Sequence, residues 1–208
     1  MNGATGACLL GLLILLRGEI HRDLGERILG KFVASFAFWT VGILANPHTT
    51  FGYLMVVGLG FGVLGDIAML VPSGFMAGLG AFLAGHLLYV IAFVLVTTDA
   101  SWWHASALVP IAVSLIAMRW LWPHLGAMRV AVVAYVTVIT LMAIGALAIC
   151  RAGSIAHPSH MLAGAVLFYA SDLWVAREKF VAPSLLNKIV GLPLYFGGQL
   201  LIAWAIRA

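Results

Sequence analysis

Residues 51–71, FGYLMVVGLGFGVLGDIAMLV, are apolar or glycine at every position except Tyr53 and Asp66. A bilayer's hydrocarbon core is about 30 Å thick and takes about 20 helical residues to cross, so this stretch reads as a transmembrane helix. Its glycines Gly58, Gly60, Gly62 and Gly65 form the small-residue face by which such helices pack closely, which places it at the centre of a bundle. They lead straight to Asp66. A carboxylate in hydrocarbon costs at least roughly 2.5 to 3.5 kcal/mol on insertion scales, so Asp66 is expected to face protein or a water-filled cavity and to be functional.

Seven further stretches of similar character surround it. Spans are expected near 3–17, 28–46, 51–71, 75–97, 105–122, 128–150, 160–176 and 189–206, separated by turn punctuation such as Asn46-Pro47, Pro72-Ser73-Gly74, Pro123-His124, His157-Pro158 and Pro183-Ser184. The first stretch, 7–16, has no basic residue before it and no small-residue cleavage site after it, and is expected to be a short first helix rather than a removed signal peptide. The fold class is therefore all-α, a polytopic integral membrane bundle of about eight helices forming a single domain over 1–208. Composition agrees: 63% of the 208 residues are hydrophobic and 9% charged, with mean hydropathy +1.10, against roughly a quarter charged in soluble domains.

The net charge of +4 does not point to nucleic acid, because the basic residues sit in short loops between apolar spans. Arg17, Arg22, Arg27, Lys31, Arg119, Arg129, Arg177, Lys179 and Lys188 follow odd-numbered spans; only Arg151 and Arg207 fall on the other side. The positive-inside rule then puts the odd-numbered loops in the cytoplasm of a bacterial inner or plasma membrane, with both termini outside.

Of the seven acidic residues, Glu19, Asp23, Glu26, Asp99 and Glu178 fall in loops or at span ends, leaving Asp66 and Asp172 inside apolar spans at similar depth toward the cytoplasmic side. His86 in the fourth span, with Tyr89 three residues on, and Tyr195 in the eighth, with Gln199 four residues on, share helical faces at compatible depths. One polar pocket collecting these side chains suits general acid and general base chemistry, with one carboxylic acid donating a proton and one carboxylate beside a donor. The bland reading of a single His or Tyr is an interhelical hydrogen bond. For paired aspartates it is weaker, since Asn or Ser joins helices at lower cost. Trp102, Trp103, Trp120 and Trp122 read as interfacial anchors. His21, His48, His104, His124, His157 and His160 lack ligand spacing, Cys8 and Cys150 have no partners, and no metal or cofactor is expected. No Gly-x-Ser-x-Gly elbow, Walker loop, dinucleotide fingerprint or His-Glu-x-x-His is present, which argues against serine-hydrolase, ATPase and zinc-protease chemistry.

Gly85-His86-Leu87-Leu88 matches Gly198-Gln199-Leu200-Leu201, and Asp66 and Asp172 then correspond as well. This suggests a parallel four-helix repeat, 1–104 and 105–208, with chance similarity among Gly- and Leu-rich helices as the competing reading.

The order Gly65-Asp66, Met69-Leu70, Phe82 to Gly85-His86 and Tyr89, Tyr135-x-x-x-Ile139-x-x-Met142, Gly164-Ala165 to Phe168, Ser171-Asp172 and Phe180, and Tyr195 to Gln199-Leu200 resembles the YhhN-like lysoplasmalogenase family. The resemblance runs from about the second span to the end. It implies a membrane hydrolase that cleaves the vinyl-ether bond of a lysoplasmalogen to a fatty aldehyde and a glycerophospho-base such as glycerophosphoethanolamine. It also implies catalytic roles for Asp66 and Asp172, supporting polar positions at His86, Tyr89, Tyr195 and Gln199, and Lys31 as the basic residue entering the second span. Phe32 stands after Lys31 where a proline is expected. Lys31 or Arg177, near the cytoplasmic interface, is expected to hold the phosphate. The implied partners are a lysophospholipid substrate and the membrane lipids; oligomeric state stays open. Two rivals use the same aspartates: a proton-coupled or small-solute transporter, and a non-catalytic lipid-binding scaffold.

Overall fold

The computed structural model describes residues 1–207, without the side chains of Pro72 and Asp99. The chain folds into α1 (Asn2–His21), α2 (Leu24–Leu44), α3 (Thr50–Ala68), α4 (Phe75–Val96), the single turn α5 (Asp99–Trp102), α6 (Leu108–Leu121), α7 (Arg129–Ala152), α8 (Pro158–Ala176) and α9 (Leu185–Ala205). The eight expected spans correspond to α1–α4 and α6–α9. Seven are long and apolar enough, among the described residues, to cross a membrane, with α6 counted together with its flanking 3-10 turns. The remaining long helix is α8. It carries His160, Tyr169, Ser171 and Asp172, and it is sheltered by packing against α7 and α9.

Local chemistry sets the helix ends. α1 stops at Arg22, whose φ of 57° is left-handed, and Asp23 restarts the chain as α2 by accepting from the Glu26 amide. Thr49 caps α3 by accepting from the Gly52 amide, and Ser184 caps α9 by accepting from the Asn187 amide. α3 ends at Ala68, three residues before the expected boundary, because Pro72 and the tight turn at Gly74 follow at once. Asp66 therefore lies in the last turn of its helix.

The tightest helix pairs are α1 with α2, α3 with α4, and α8 with α9; α7 bridges α4 and α8, and α2 meets α9. Between α3 and α4, a Cβ on Gly58 would meet the Gly85 carbonyl at 3.1 Å and one on Gly85 would meet the Gly58 carbonyl at 2.9 Å. Between α8 and α9, a Cβ on Gly164 would meet the Gly198 carbonyl at 2.8 Å and one on Gly198 the Gly164 carbonyl at 2.9 Å. Tyr89 lies over Gly58, and Ile202 takes the same place over Gly164. The offset is 106 residues from Gly58 to Gly164 and from Asp66 to Asp172, and 113 from Gly85 to Gly198 and from Tyr89 to Ile202. The match fades in the outer pairs, since α6 packs on α7 more loosely than α1 on α2 and turns Leu115 and Ile116 outward.

The chain's two ends of the bundle differ. One gathers the end of α1, the start of α2, the α3–α4 turn, the end of α6, the start of α7 and the α8–α9 turn around a common cavity. The other gathers Met1, the α2–α3 turn and Trp204 with Arg207. At a glycine facing a backbone carbonyl under 3 Å away, an added methyl forces the helices apart. Gly85→Ala or Gly198→Ala is therefore expected to cost roughly 1–3 kcal/mol, read as a lower thermal midpoint in detergent. Gly80→Ala, with no atom within 4 Å of the added carbon, is expected to leave that midpoint unchanged or raise it slightly.

Candidate active site

Asp66 is 3% exposed and is met by donors from two other helices. The Ser35 hydroxyl of α2 and the Tyr195 hydroxyl of α9 each donate to its Oδ2 at 2.7 Å. The Lys31 ammonium, one turn before Ser35, stands 3.5 Å from Oδ1. An ionised carboxylate accepts only, and when buried it needs this kind of surround to offset its desolvation. Lys31 was expected near the head group, yet α2 begins at Leu24 and carries it inward to the level of the aspartate.

Asp172 sits in a plainer setting. The Tyr135 hydroxyl of α7 donates to its Oδ2 at 2.8 Å, and no basic group pairs with it among the described residues. Both aspartates line one cavity of about 640 Å³, together with Lys31, Tyr135 and Tyr195. Its walls include Leu15, Leu79, Phe82, Leu121, Ile139 and Phe168, so it pairs two carboxyl groups with space for a hydrocarbon chain.

His86, Tyr89 and Gln199 stand behind this lining rather than in it. The Gln199 amide donates to the Tyr195 hydroxyl and its carbonyl oxygen accepts from Tyr89, both at 3.4 Å, a loose chain that ends on Asp66 through Tyr195. His86 is boxed by Phe168, Tyr135 and Tyr89 at centroid separations of 4.6, 5.6 and 6.1 Å. Neither of its ring nitrogens makes a hydrogen bond of good geometry; the carbonyl of Phe82, one turn earlier, is the acceptor it faces. The helix register thus gathers the expected polar residues around the two aspartates in a first and a second layer.

Arg177 is placed elsewhere. Its guanidinium bonds the Asn187 side chain and, at 3.3 Å, the Ser184 hydroxyl, tying the end of α8 to the start of α9 without lining the cavity. The basic residues at the cavity's edge are Arg27, Lys179 and Lys188. Sequence reading missed Ser35 and the role of Tyr135. The available signal for Ser35 was its place one turn from Lys31 on the same face of α2, and for Tyr135 its place at the depth of Asp172. A separate polar knot, Ser114 with Thr140 and Tyr169, joins α6, α7 and α8. Among the described residues no group of three His, Cys, Asp or Glu side chains is placed to hold a metal ion.

Known proteins supply an independent comparison. The chain is 30% identical over 167 residues to lysoplasmalogenase TMEM86A of Bos taurus, an alignment covering 77% of this chain and 67% of that one. No solved structure matches it. Residues 26–206, which run from the first turn of α2 through α9, match the YhhN family, and the chain belongs to that family.

Proposed function

We propose that this protein hydrolyses the vinyl-ether bond of a lysoplasmalogen, releasing a fatty aldehyde and a glycerophospho-base. The observation that carries the reading is one apolar-walled cavity holding two carboxyl groups with unlike surroundings, Asp66 among three donors and Asp172 with one. The similarity to a lysoplasmalogenase supports the substrate class.

The surroundings divide the labour. Asp66, facing an ammonium and two hydroxyls, acts as the carboxylate; Asp172, with one oxygen free of donors, carries the proton. Asp172 protonates the β-carbon of the vinyl ether, the carbon–carbon double bond becomes single, and an oxocarbenium ion forms next to the Asp66 carboxylate. Water adds to the cationic carbon and gives a proton to Asp66. The resulting hemiacetal returns its hydroxyl proton to Asp172 while Asp66 protonates the departing glycerol oxygen, which breaks the carbon–oxygen bond and restores both groups. Tyr135 aims Asp172, and Tyr195, backed by Gln199 and Tyr89, aims Asp66. His86 packs behind Tyr135.

The positive-inside count supports a cytoplasmic cavity end, because nine of the eleven Lys and Arg residues belong to that end. The recurring glycine contacts and matching offsets support a duplicated helix pair as the origin of the two aspartates.

Purified protein in mild detergent is expected to release aldehyde from lysoplasmenylethanolamine without any gradient. Asp66→Asn and Asp172→Asn, each folded by thermal midpoint, are expected to lower kcat by about a hundredfold or more. Aldehyde release that survives in both variants would discard the mechanism; no release from wild type, together with Asp-dependent solute movement in proteoliposomes, would favour the transporter. Tyr135→Phe, which removes a single hydrogen bond to Asp172, is expected to slow turnover only about tenfold with little change in KM.

A further inference from the structure

The cavity mouth carries three cations that the chemistry at the aspartates does not use. Lys179 projects from the π-helical turn Arg177–Val181 that ends α8. Its ammonium lies 4.5 Å from the centre of the Phe75 ring, and Phe180 of the same turn packs edge-on against Phe75 at 5.9 Å. This fixes the turn over the opening of the cavity. Among the described residues Lys179 has no acidic partner. Arg27 and Lys188 stand across from it in a cluster around Glu19, each 2.8 Å from one of its carboxylate oxygens. Two cations on one anion leave that cluster with a net positive charge. The other basic groups nearby are committed, Lys31 to Asp66 and Arg177 to Asn187 and Ser184.

The spacing fits a lipid. Arg27 precedes Lys31 by four residues, Lys179 follows Asp172 by seven and Lys188 precedes Tyr195 by seven, which on a helix places these cations about 6 to 10 Å toward the mouth from the aspartates. In a glycerophospholipid the ether oxygen and the phosphorus are joined through three carbons and one oxygen, five bonds of about 1.5 Å each and roughly 6 Å end to end. A vinyl ether held between Asp66 and Asp172 thus carries its phosphate to the level of these cations.

We propose that Lys179, Lys188 and Arg27 form the phosphate subsite, with Lys179, which has no acidic partner among the described residues, as its anchor, so that the enzyme selects a phosphate-bearing lysolipid over a neutral glycerol ether. This rests on the lysophospholipid reading of the cavity. The test is binding of a saturated, uncleavable ether analogue, 1-alkyl-glycerophosphoethanolamine, against 1-alkylglycerol, in uncharged detergent micelles where general attraction to an anionic surface is absent. Lys179→Gln and Lys188→Gln are each expected to weaken binding of the phospholipid about tenfold and leave the alkylglycerol unchanged, with Lys179→Arg restoring phospholipid affinity. Equal loss for both ligands, or no loss for either, overturns the subsite. Aldehyde release from the corresponding vinyl ethers, measured on the same preparations, separates the two ideas. If wild type cleaves neither while charge-dependent binding persists, the hydrolase reading falls and the phosphate subsite stands.

Discussion

Asp66 keeps a carboxylate inside a membrane bundle only because Lys31, Ser35 and Tyr195 reach it, and those three side chains come from α2 and α9, helices at opposite ends of the chain. The requirement shapes the whole packing arrangement. α2 and α9 have to close on α3, and α3 has to leave room for them while holding α4 on its other side. Glycine supplies that room: Gly62 faces Gln199 and Tyr195, and Gly65 faces Phe82, where any larger side chain would push away the groups that surround the aspartate. Gly62 and Gly65 of α3 are thus the packing counterpart of the buried charge.

The two aspartates occupy corresponding places in similar helix pairs yet have acquired different surroundings. In α9, Tyr195 and Gln199 stand where α4 carries Phe82 and His86 at the same 113-residue offset. Tyr195 crosses to Asp66, whereas Phe82 has no hydroxyl to offer, so Asp172 depends on Tyr135 of α7 alone. The phenol of Tyr195 against the phenyl ring of Phe82, together with Lys31 and Ser35 of α2, leaves Asp66 among three donors and Asp172 with one. Paired acid and base roles commonly arise from differences of environment rather than of residue type.

The spans and the aspartates were legible because they rest on composition: a long apolar run has few other folds available in lipid, and a charge within it stands out against its neighbours. The partners of those aspartates were not legible to the same degree. Hydroxyl residues in apolar helices usually bond their own backbone, as Thr40, Thr97 and Thr137 do here to carbonyls four residues earlier. Ser35 differs from these in the direction it faces, and the partner of Tyr135 likewise is set by interhelical rotation rather than by local sequence. Arg177 lies away from the cavity lining for a related reason. A cation at a helix end looks free in sequence, but the turn that joins α8 to α9 folds Ser184 and Asn187 back onto it. The boundary of α3 shifted because a proline four residues beyond the end of a helix is an ambiguous stop signal until the turn at Gly74 is seen to close.

Depth links these features. Asp66 lies in the last turn of α3, and Asp172 lies four residues before α8 gives way to its π-helical turn. Carboxyl groups at the bilayer midplane would be far from water and from any lipid ether, because the ether of a glycerophospholipid sits a glycerol's length below its phosphate. Near the helix ends the same groups meet both, while the apolar cavity walls continue inward and can take up the hydrocarbon chain. A shallow buried charge also needs a cover, and Glu19, bridged to Arg27 and Lys188, draws α1, α2 and α9 together above it. The ion pairs at the mouth therefore close the bundle over its charged interior.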